Sequence, residues 1–468
     1  MKTKFGKTIA GVALLFCAYG AGGCHGDLDI MQDNKLSASN MWKEESDATS
    51  ATYGLYVYLR SALKSMNDVY LCWGELRNGL WGPGTHNTLN GVDQSQVRTS
   101  TMSSVNEYAD WTALYTTVNQ ANLVIRHVPA MGLKEKPRAF CLGNAHFIRA
   151  YCFFQIARIW GDAPLPLWGY ESTDTELFLG RTPVSEVLMR VERDIADAER
   201  YVADTSDKTV ATPAAVAMLK ADYALWMYRM QAGGEAYLAM AQEALGREVI
   251  FAVHQDVSEA LNGPAYYLGW NESYVEAAYR NNPVPTTGGN QWWWYTDTYR
   301  ALLQADPADT RAALTCRTAD YGTGGRRIGW TEKLMGRVDN GTRIFDSDFI
   351  LYRYGEAFLM AAEARYYGKD YAGALEALAP LAARAYGRRD YYTDTSPEAV
   401  LQAIVDEYLR EMVGEGRTWW MLLRTDKIWE YSADIAAQRD KNPNILLWPI
   451  TQAAMSRNYN LTQTEGWY

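Results

Sequence analysis

The stretch 348–386, DFILYRYGEAFLMAAEARYYGKDYAGALEALAPLAARAY, decides the fold class of this chain. Apolar and small residues recur at helical spacing on both sides of Gly368-Lys369-Asp370, where the pattern breaks. The stretch therefore predicts two helices joined by a short turn. Alanine is dense where the two helices would face each other, which lets their axes approach closely. Because such a pair cannot bury both faces alone, it predicts neighbours of the same kind.

Further helices are predicted along the chain, several of them on the same plan. Thr212-Pro213 predicts a helix start, with Thr212 as its cap, and after Gly233-Gly234 a second helix is predicted at Tyr237–Leu245. Thr182-Pro183 predicts the same kind of start, again capped by the threonine. The other predicted helices are Asn40–Ser65, Ser104–His127, Pro137–Trp160 and Ser396–Arg424. The sequence thus predicts an all-α fold of tetratricopeptide-like helix pairs.

Two stretches interrupt the helical rhythm. Asn67–Thr101 is rich in Gly, Asn and Thr, and Val249–Gly341 contains repeated Gly, Asn and Pro breakers. The second stretch also carries the cluster Trp292-Trp293-Trp294-Tyr295, so it is too aromatic to be disordered. A long irregular segment in a helical protein is uncommon unless it is functional or disordered. Both stretches are therefore predicted to be loops that carry the function.

The composition favours binding at a partly exposed surface. The 468 residues include 17 Trp and 32 Tyr against only 11 Phe, and Tyr and Trp combine an apolar face with a polar tip. The net charge of −10 and the lack of a Lys/Arg-rich cluster argue against a nucleic-acid partner. At this length, the cysteines of the mature chain are predicted to be buried apolar residues rather than a disulfide framework.

The N-terminus has the parts of an export signal. Residues 1–23 contain a lysine-rich start, the apolar run Ile9–Phe16 and small residues directly before Cys24. This arrangement is similar to a bacterial lipobox and predicts a signal peptide at 1–23, with Cys24 acylated as the first mature residue. An ordinary secretory signal with an incidental cysteine is the alternative. Residues 24–40 are predicted to form a tether, and the lipid would be the only membrane attachment.

Four motifs then follow in a fixed order. They are Ala145–Leu165 with Arg149, Tyr151 and Gly161-Asp162; Tyr352–Ala364 with Glu356 and Glu363; Glu407–Trp420 with Glu415-Gly416-Arg417; and Trp448–Tyr468 with a Pro-Ile and a Gly466-Trp467 ending. Together with the lipobox, this order resembles the SusD/RagB family of outer-membrane nutrient-binding lipoproteins of Bacteroidetes. Met421, Thr451 and Thr464 depart from the family pattern at positions that we expect to serve packing.

The resemblance implies both a fold and a function. The expected fold is a tetratricopeptide-like superhelix with irregular ligand-binding loops on one face. It spans a single domain at 41–468, with an N-terminal part of about 41–230 and a C-terminal part of about 250–468. The expected function is the binding of oligosaccharides at the cell surface, on an outer membrane reached through the lipid anchor. The glycan would be delivered to a SusC-like TonB-dependent transporter. A peptide-binding RagB-type member is the alternative.

Candidate ligand contacts lie in the two irregular stretches. The first group is Trp81 with Arg77, Asn78 and His86, and the second is Trp292-Trp293-Trp294-Tyr295. A flat aromatic ring can cover the C–H face of a sugar, and neighbouring polar groups can then bind its hydroxyls. Packing inside the fold is the alternative for Trp81. Three consecutive tryptophans cannot all face one way, so at most two of them are expected to meet a ligand.

Enzymatic readings of the sequence are disfavoured. Glu407, Glu411 and Glu415 are spaced four residues apart and so share one helix face, whereas the carboxylates of a glycosidase flank a bond across a cleft. A solvated or arginine-paired face is the expected role. No catalytic residues, metal ligands or cofactors are predicted, and a surface glycoside hydrolase is the remaining, disfavoured alternative.

Overall fold

Helices dominate the computed structural model, which describes residues 41–65, 69–84, 92–171, 176–245, 251–253, 268–287, 291–344 and 346–467. This confirms the predicted fold class. In these ranges, the helices of six or more residues are α1 Glu45–Leu63, α2 Val92–Thr99, α3 Thr112–His127, α4 Glu135–Trp160, α5 Val184–Tyr201, α6 Pro213–Met230, α7 Glu235–Ala244, α8 Asp297–Leu303, α9 Tyr354–Tyr367, α10 Tyr371–Tyr386, α11 Pro397–Glu411, α12 Thr418–Arg424 and α13 Gln452–Arg457.

Successive long helices pack as pairs. α1 lies against α3, α4 against α5, α6 against α7, and α9 against α10. The pairs also contact one another, since α3 packs on α4, α5 on α6, and α7 on α9. Each pair thereby buries a face that it could not bury alone, as expected for a helical repeat architecture.

The local signals at the helix starts are confirmed in one case and corrected in another. The Thr212 hydroxyl accepts a hydrogen bond from the amide of Ala215 at 3.0 Å and so caps α6 as predicted. α5 differs, because Pro183 occupies the cap position and the carboxylate of Asp162 accepts from the amide of Val184 at 2.8 Å. The cap of α5 comes from a residue 22 positions earlier in the chain, which a local pattern does not reveal.

The stretch 348–386 begins with a strand rather than with a helix. β10, Phe349–Tyr352, pairs antiparallel with β2, Phe251–Val253. The predicted turn is confirmed, since the carboxylate of Asp370 accepts from the amide of Gly373 at 2.9 Å at the start of α10. α10 ends at Gly387, whose φ of 73° lies in the left-handed region that favours glycine.

Helix α4 occupies the centre of the core and is buried on all faces from Cys141 to Trp160. Its Arg158 donates to Asp222 of α6 at 3.2 Å, and Arg417 and Arg424 donate to the same carboxylate at 2.8 Å and 3.2 Å. Burial alone would raise the pKa of Asp222, but the three guanidinium groups hold it below its ordinary value. Asp222 therefore joins the N-terminal helix pairs to the segment around α12.

The region predicted as irregular, 249–341, contains short strands in its described parts. In addition to β2, they are β3 Trp270–Asn271 beside β4 Thr286–Thr287, β5 Trp293–Tyr295, the hairpin of β6 Arg317–Gly322 with β7 Arg326–Trp330, and β8 Arg337–Asp339, which pairs with β9 Thr342–Ile344. A small apolar core formed by Trp270, Val275, Val284, Ile328 and Trp330 supports them. Strands of two to six residues are too short for an alternation that the sequence analysis could detect.

Residues Glu44–Tyr468 form one compact unit by their contacts. The predicted division into parts at about residues 230–250 and the boundaries before residue 41 stay predictions.

In the described ranges, no helix combines the length and apolarity needed to cross a membrane. The four cysteines described there, Cys72, Cys141, Cys152 and Cys316, are buried and form no disulfide, as predicted.

Candidate functional site

The structure brings the two aromatic stretches of the sequence together. β1, Trp81–Pro83, pairs antiparallel with β5, Trp293–Tyr295. Next to the pair, the amide of Gly84 donates to the carbonyl of Trp292 at 2.7 Å. Glycine is needed here, because a Cβ at position 84 would overlap the carbonyl oxygen of Gln291. The two predicted loops therefore form one site, which is called the β1–β5 pair below.

Most aromatic side chains of the β1–β5 pair point into the protein. The rings of Trp293 and Tyr295 lie with their centroids 5.7 Å and 4.8 Å from that of Trp81. Trp294 packs against Gly329, where a Cβ would touch its indole. The exposed fractions are 2% for Trp81, 3% for Trp293, 7% for Trp294 and 4% for Tyr295. The expectation that these side chains stand open at the surface is corrected, and any contact with a ligand stays a prediction.

Arg77 and Asn78 are also buried rather than open to a ligand. The guanidinium of Arg77 donates to the carbonyls of Leu446 and Leu447 at 3.2 Å and 3.3 Å. These hydrogen bonds join the segment before β1 to the segment before α13. The side-chain amide of Asn78 donates to the hydroxyl of Thr418 at 3.0 Å. Burial lowers the pKa of Arg77 to about 9. Both side chains are held by interior partners, which corrects their predicted placement at a ligand surface.

Two further predicted residues lie outside the described residues. These are His86, predicted as a polar ligand contact, and Cys24, predicted as the lipidated residue. Both roles therefore stay predictions.

Trp292 is the member of the tryptophan cluster that keeps a partly exposed side chain. It is half-buried and lines a notch together with Gly82 and with Gln94, Ser95 and Arg98 of α2. The notch is shallow and takes up about 250 Å³ when the solvent space at its open mouth is counted, so a ligand would lie across it rather than enter it. The sequence pointed to Trp292, but it gave no signal that α2 would lie beside it.

A buried carboxylate fixes the β1–β5 pair to the rest of the fold. Glu75 accepts from the indole nitrogen of Trp81 at 3.3 Å and from the amides of Gly414 and Gly416 at 2.8 Å each. Burial raises the pKa of Glu75 to about 7, although the two amide hydrogen bonds oppose the shift. The sequence analysis missed Glu75, because its partners in the turn between α11 and α12 lie more than 300 residues away.

The three glutamates of α11 and the following turn are paired with arginines. Arg311 donates to Glu407 at 2.6 Å and to Glu411 at 3.0 Å, and Arg353 donates to Glu411 at 2.6 Å and to Glu415 at 2.7 Å. Burial alone would raise the pKa of Glu411, but Arg353 and its neighbours hold it below its usual range. The arginine-paired alternative is thus confirmed, and these carboxylates act as interior ion-pair partners.

One cluster in the described ranges has the spacing of a metal site, namely His146, Asp194 and Asp197. Asp194 accepts from Arg149 at 2.7 Å and 2.9 Å, from Arg190, and lies 2.8 Å from the imidazole of His146. Two guanidinium groups beside one carboxylate repel a further cation. The donor set therefore fits an ion-pair network better than a metal centre.

A larger groove shares no lining residue with the Trp292 notch. It encloses about 750 Å³ of space open to solvent. Its walls come from the start of α3, from residues 164–170 and 177–179, and from the C-terminal segment, including Trp111, Tyr115, Pro164, Tyr170, Arg457 and Leu461. Because these walls come from three distant segments, the sequence analysis did not single it out. It is another concave surface at which a ligand can be sought.

Two regions of the chain match known family models. Residues 83–225 match a SusD-like model described as starch-binding and associating with the outer membrane. Residues 331–467 match the model of the SusD family. The chain belongs to the SusD family. Membership in this family of carbohydrate-binding proteins confirms the prediction of a protein that binds rather than catalyses, and at the family level it supports glycan binding in nutrient uptake at the outer membrane.

Two relatives of this SusD family protein are similar to it over nearly their whole length. SusD-like protein P38 of Formosa agariphila is 22% identical, over 94% of this chain and 95% of the relative. SusD-like protein P2 of the same organism is also 22% identical, over 95% and 97%. A SusD superfamily protein from Bacteroides fragilis has a TM-score of 0.78 at 23% identity, over 91% of this chain and 100% of that chain. NanU of B. fragilis has a TM-score of 0.75 at 23% identity, over 93% and 99%. These two solved structures establish the shared fold.

Proposed function

We propose that this SusD family protein binds oligosaccharides at the cell surface and delivers them to a SusC-like TonB-dependent transporter. The observation that carries the proposal is the partly exposed indole of Trp292 beside the polar side chains of α2. A sugar ring can stack its C–H face on the indole, and the half-buried Ser95 lies where a hydroxyl group can bind. The buried aromatics of the β1–β5 pair hold the strand next to Trp292 in place.

The proposal includes attachment to the outer membrane through an acylated Cys24. A protein bearing several acyl chains would stay with the membrane, whereas one without them would be released. Fractionation of cells that produce the Cys24→Ser variant tests this step. We expect the wild type in the outer-membrane fraction and the variant in a soluble fraction. A variant that stays in the membrane fraction contradicts the proposed anchor.

Glycan binding itself is tested by calorimetric titration of the purified protein with a panel of oligosaccharides. Binding of at least one member without release of reducing ends supports a non-catalytic glycan receptor. Binding of peptides instead, with no response to any glycan, favours the RagB-type alternative. The transporter is tested separately, by asking whether a TonB-dependent outer-membrane protein co-purifies with the tagged protein from its native membrane.

A further inference from the structure

Arg98 lies beside Trp292 and differs from the ion-paired arginines elsewhere in the fold. It is half-buried in the last turn of α2 and lines the same notch as Trp292. In the part of the chain that the structure describes, its guanidinium makes no hydrogen bond and no ion pair. By contrast, Arg311 forms ion pairs with three carboxylates and Arg353 with two.

Arg98 is a cation without an ion-pair partner among the described residues. Partial burial lowers its pKa, and the carboxylate of Asp434 opposes this shift from a distance, without a salt bridge. A guanidinium carries five N–H donors and cannot lose its proton in a protein. Its N–H groups have no acceptor in the described part of the chain, so a carboxylate or sulfate could take two parallel hydrogen bonds from them in place of water.

A neutral sugar would bind this guanidinium less strongly than an anion would. A hydroxyl oxygen can accept one hydrogen bond from the guanidinium, but it brings no charge to the notch. A carboxylate or a sulfate ester brings both the charge and a pair of oxygens that match the fork of an arginine. Such a group would lie at the open mouth of the notch, beside Arg98, while the ring of the sugar lies on Trp292.

We propose that Arg98 determines the specificity of the Trp292 site, and that the natural ligand is an anionic oligosaccharide with a carboxylate or sulfate group next to the stacked sugar ring. This inference rests on the proposed glycan-binding function and specifies the ligand class of the same site. The anion binds the guanidinium of Arg98 by two parallel hydrogen bonds, and the indole of Trp292 positions the ring that carries it.

A purely structural role for Arg98 makes different predictions. A cation in the last turn of a helix interacts favourably with the helix dipole, and lysine would serve that role equally well. The Arg98→Lys variant keeps the positive charge but cannot form the two parallel hydrogen bonds of a guanidinium. We therefore expect it to melt like the wild type while it loses most of the preference for the anionic ligand.

The experiment compares matched glycans by calorimetry. One pair is an oligosaccharide containing uronic acid and its carboxyl-reduced, neutral counterpart, and the other pair is a sulfated oligosaccharide and its desulfated form. The proteins are the wild type, Arg98→Gln, Arg98→Lys and the control Arg193→Gln, which changes an exposed arginine of α5. The two pairs distinguish a carboxylate from a sulfate as the recognised group.

The expected result is an affinity of the wild type and the control that is about tenfold or more higher for the charged member of one pair. The Arg98→Gln variant should bind both members equally, and added salt should weaken only the charged member in the wild type. If the wild type binds the neutral member as tightly, or if Arg98→Gln keeps the preference, the inference is overturned. If the wild type binds no glycan of either kind, the proposed function fails and the inference fails with it. Arg98-dependent binding of a peptide carboxylate instead assigns the site to the peptide class.

Discussion

The indole nitrogen of Trp81 donates to the carboxylate of Glu75 at 3.3 Å, and the same carboxylate accepts two backbone amides from the turn between α11 and α12. A residue expected at the ligand surface is therefore part of the connection between the β1–β5 pair and the helical scaffold. Its role is to position the strand pair, and the partly exposed Trp292 remains at the edge of that pair.

Truncation of Trp81 is expected to destabilise the protein. Trp81→Ala removes a side chain that is only 2% exposed and packs against three aromatic rings, so we expect the free energy of unfolding to fall by about 3–5 kcal/mol. Urea denaturation measures the change. Trp429→Ala, at a half-buried site, serves as the control and should cost less. A Trp81→Ala protein as stable as the wild type would place Trp81 outside the core.

Glu75 should make stability depend on pH. Its pKa is raised from 4.5 to about 7 in the folded protein, so between these values the folded chain holds a proton that the unfolded chain has lost. Its contribution to stability therefore falls as the pH rises from 4.5 to about 7, by at most about 1.4 kcal/mol per pH unit, and is constant above that window. Denaturation of the wild type and Glu75→Gln at several pH values measures the difference. Equal slopes for both proteins would show that Glu75 does not titrate there.

Gly84 should be required for the β1–β5 pair. In Gly84→Ala, the new Cβ would overlap the carbonyl of Gln291, so the hydrogen bond from residue 84 to Trp292 should be lost. We expect a loss of about 1–3 kcal/mol of stability together with weaker ligand binding. Gly54→Ala is the control, because nothing lies within 4 Å of its new Cβ in α1, and alanine suits a helix interior better than glycine. Equal behaviour of both variants would contradict the close approach.

Removal of the charge at Asp222 should be severe. Asp222→Asn leaves Arg158, Arg417 and Arg424 buried around an uncharged side chain, and we expect a loss of at least about 3 kcal/mol in the free energy of unfolding. The matched control is Asp320→Asn. Asp320 forms an ion pair with Arg327, but both side chains are more than 60% exposed, so the change should stay within about 0.5 kcal/mol. Equal small losses in both variants would mean that the buried carboxylate contributes no more than a surface one.

The helical scaffold could be predicted from the sequence because the patterns that start and end its helices are local. The break at Gly368-Lys369-Asp370 and the cap at Thr212 depend on residues a few positions apart, and the structure contains both. The cap of α5 was not accessible, since Asp162 reaches it from the end of α4. The family motifs could likewise be recognised in the sequence, because they lie within single helices and turns.

Only part of the candidate site could be predicted from the sequence. The concentration of aromatic residues singled out Trp81 and Trp292–Tyr295 as two separate groups, which the fold brings together, but composition alone does not say which side chains face water. The pairing of β1 with β5 joins residues more than 200 positions apart, and that pairing buries Trp81, Trp293 and Tyr295. The neighbouring α2, with Arg98, enters the site only through the tertiary fold.

The central claim, that the partly exposed face of Trp292 binds a glycan, is tested most directly by calorimetry of Trp292→Ala with the tightest glycan of the panel. We expect the affinity to fall by about tenfold or more while the melting temperature stays close to that of the wild type. The control Trp429→Ala removes another half-buried tryptophan and should bind like the wild type. Unchanged affinity of a folded Trp292→Ala protein would contradict the account and would move the search to the groove at Trp111 and Tyr170.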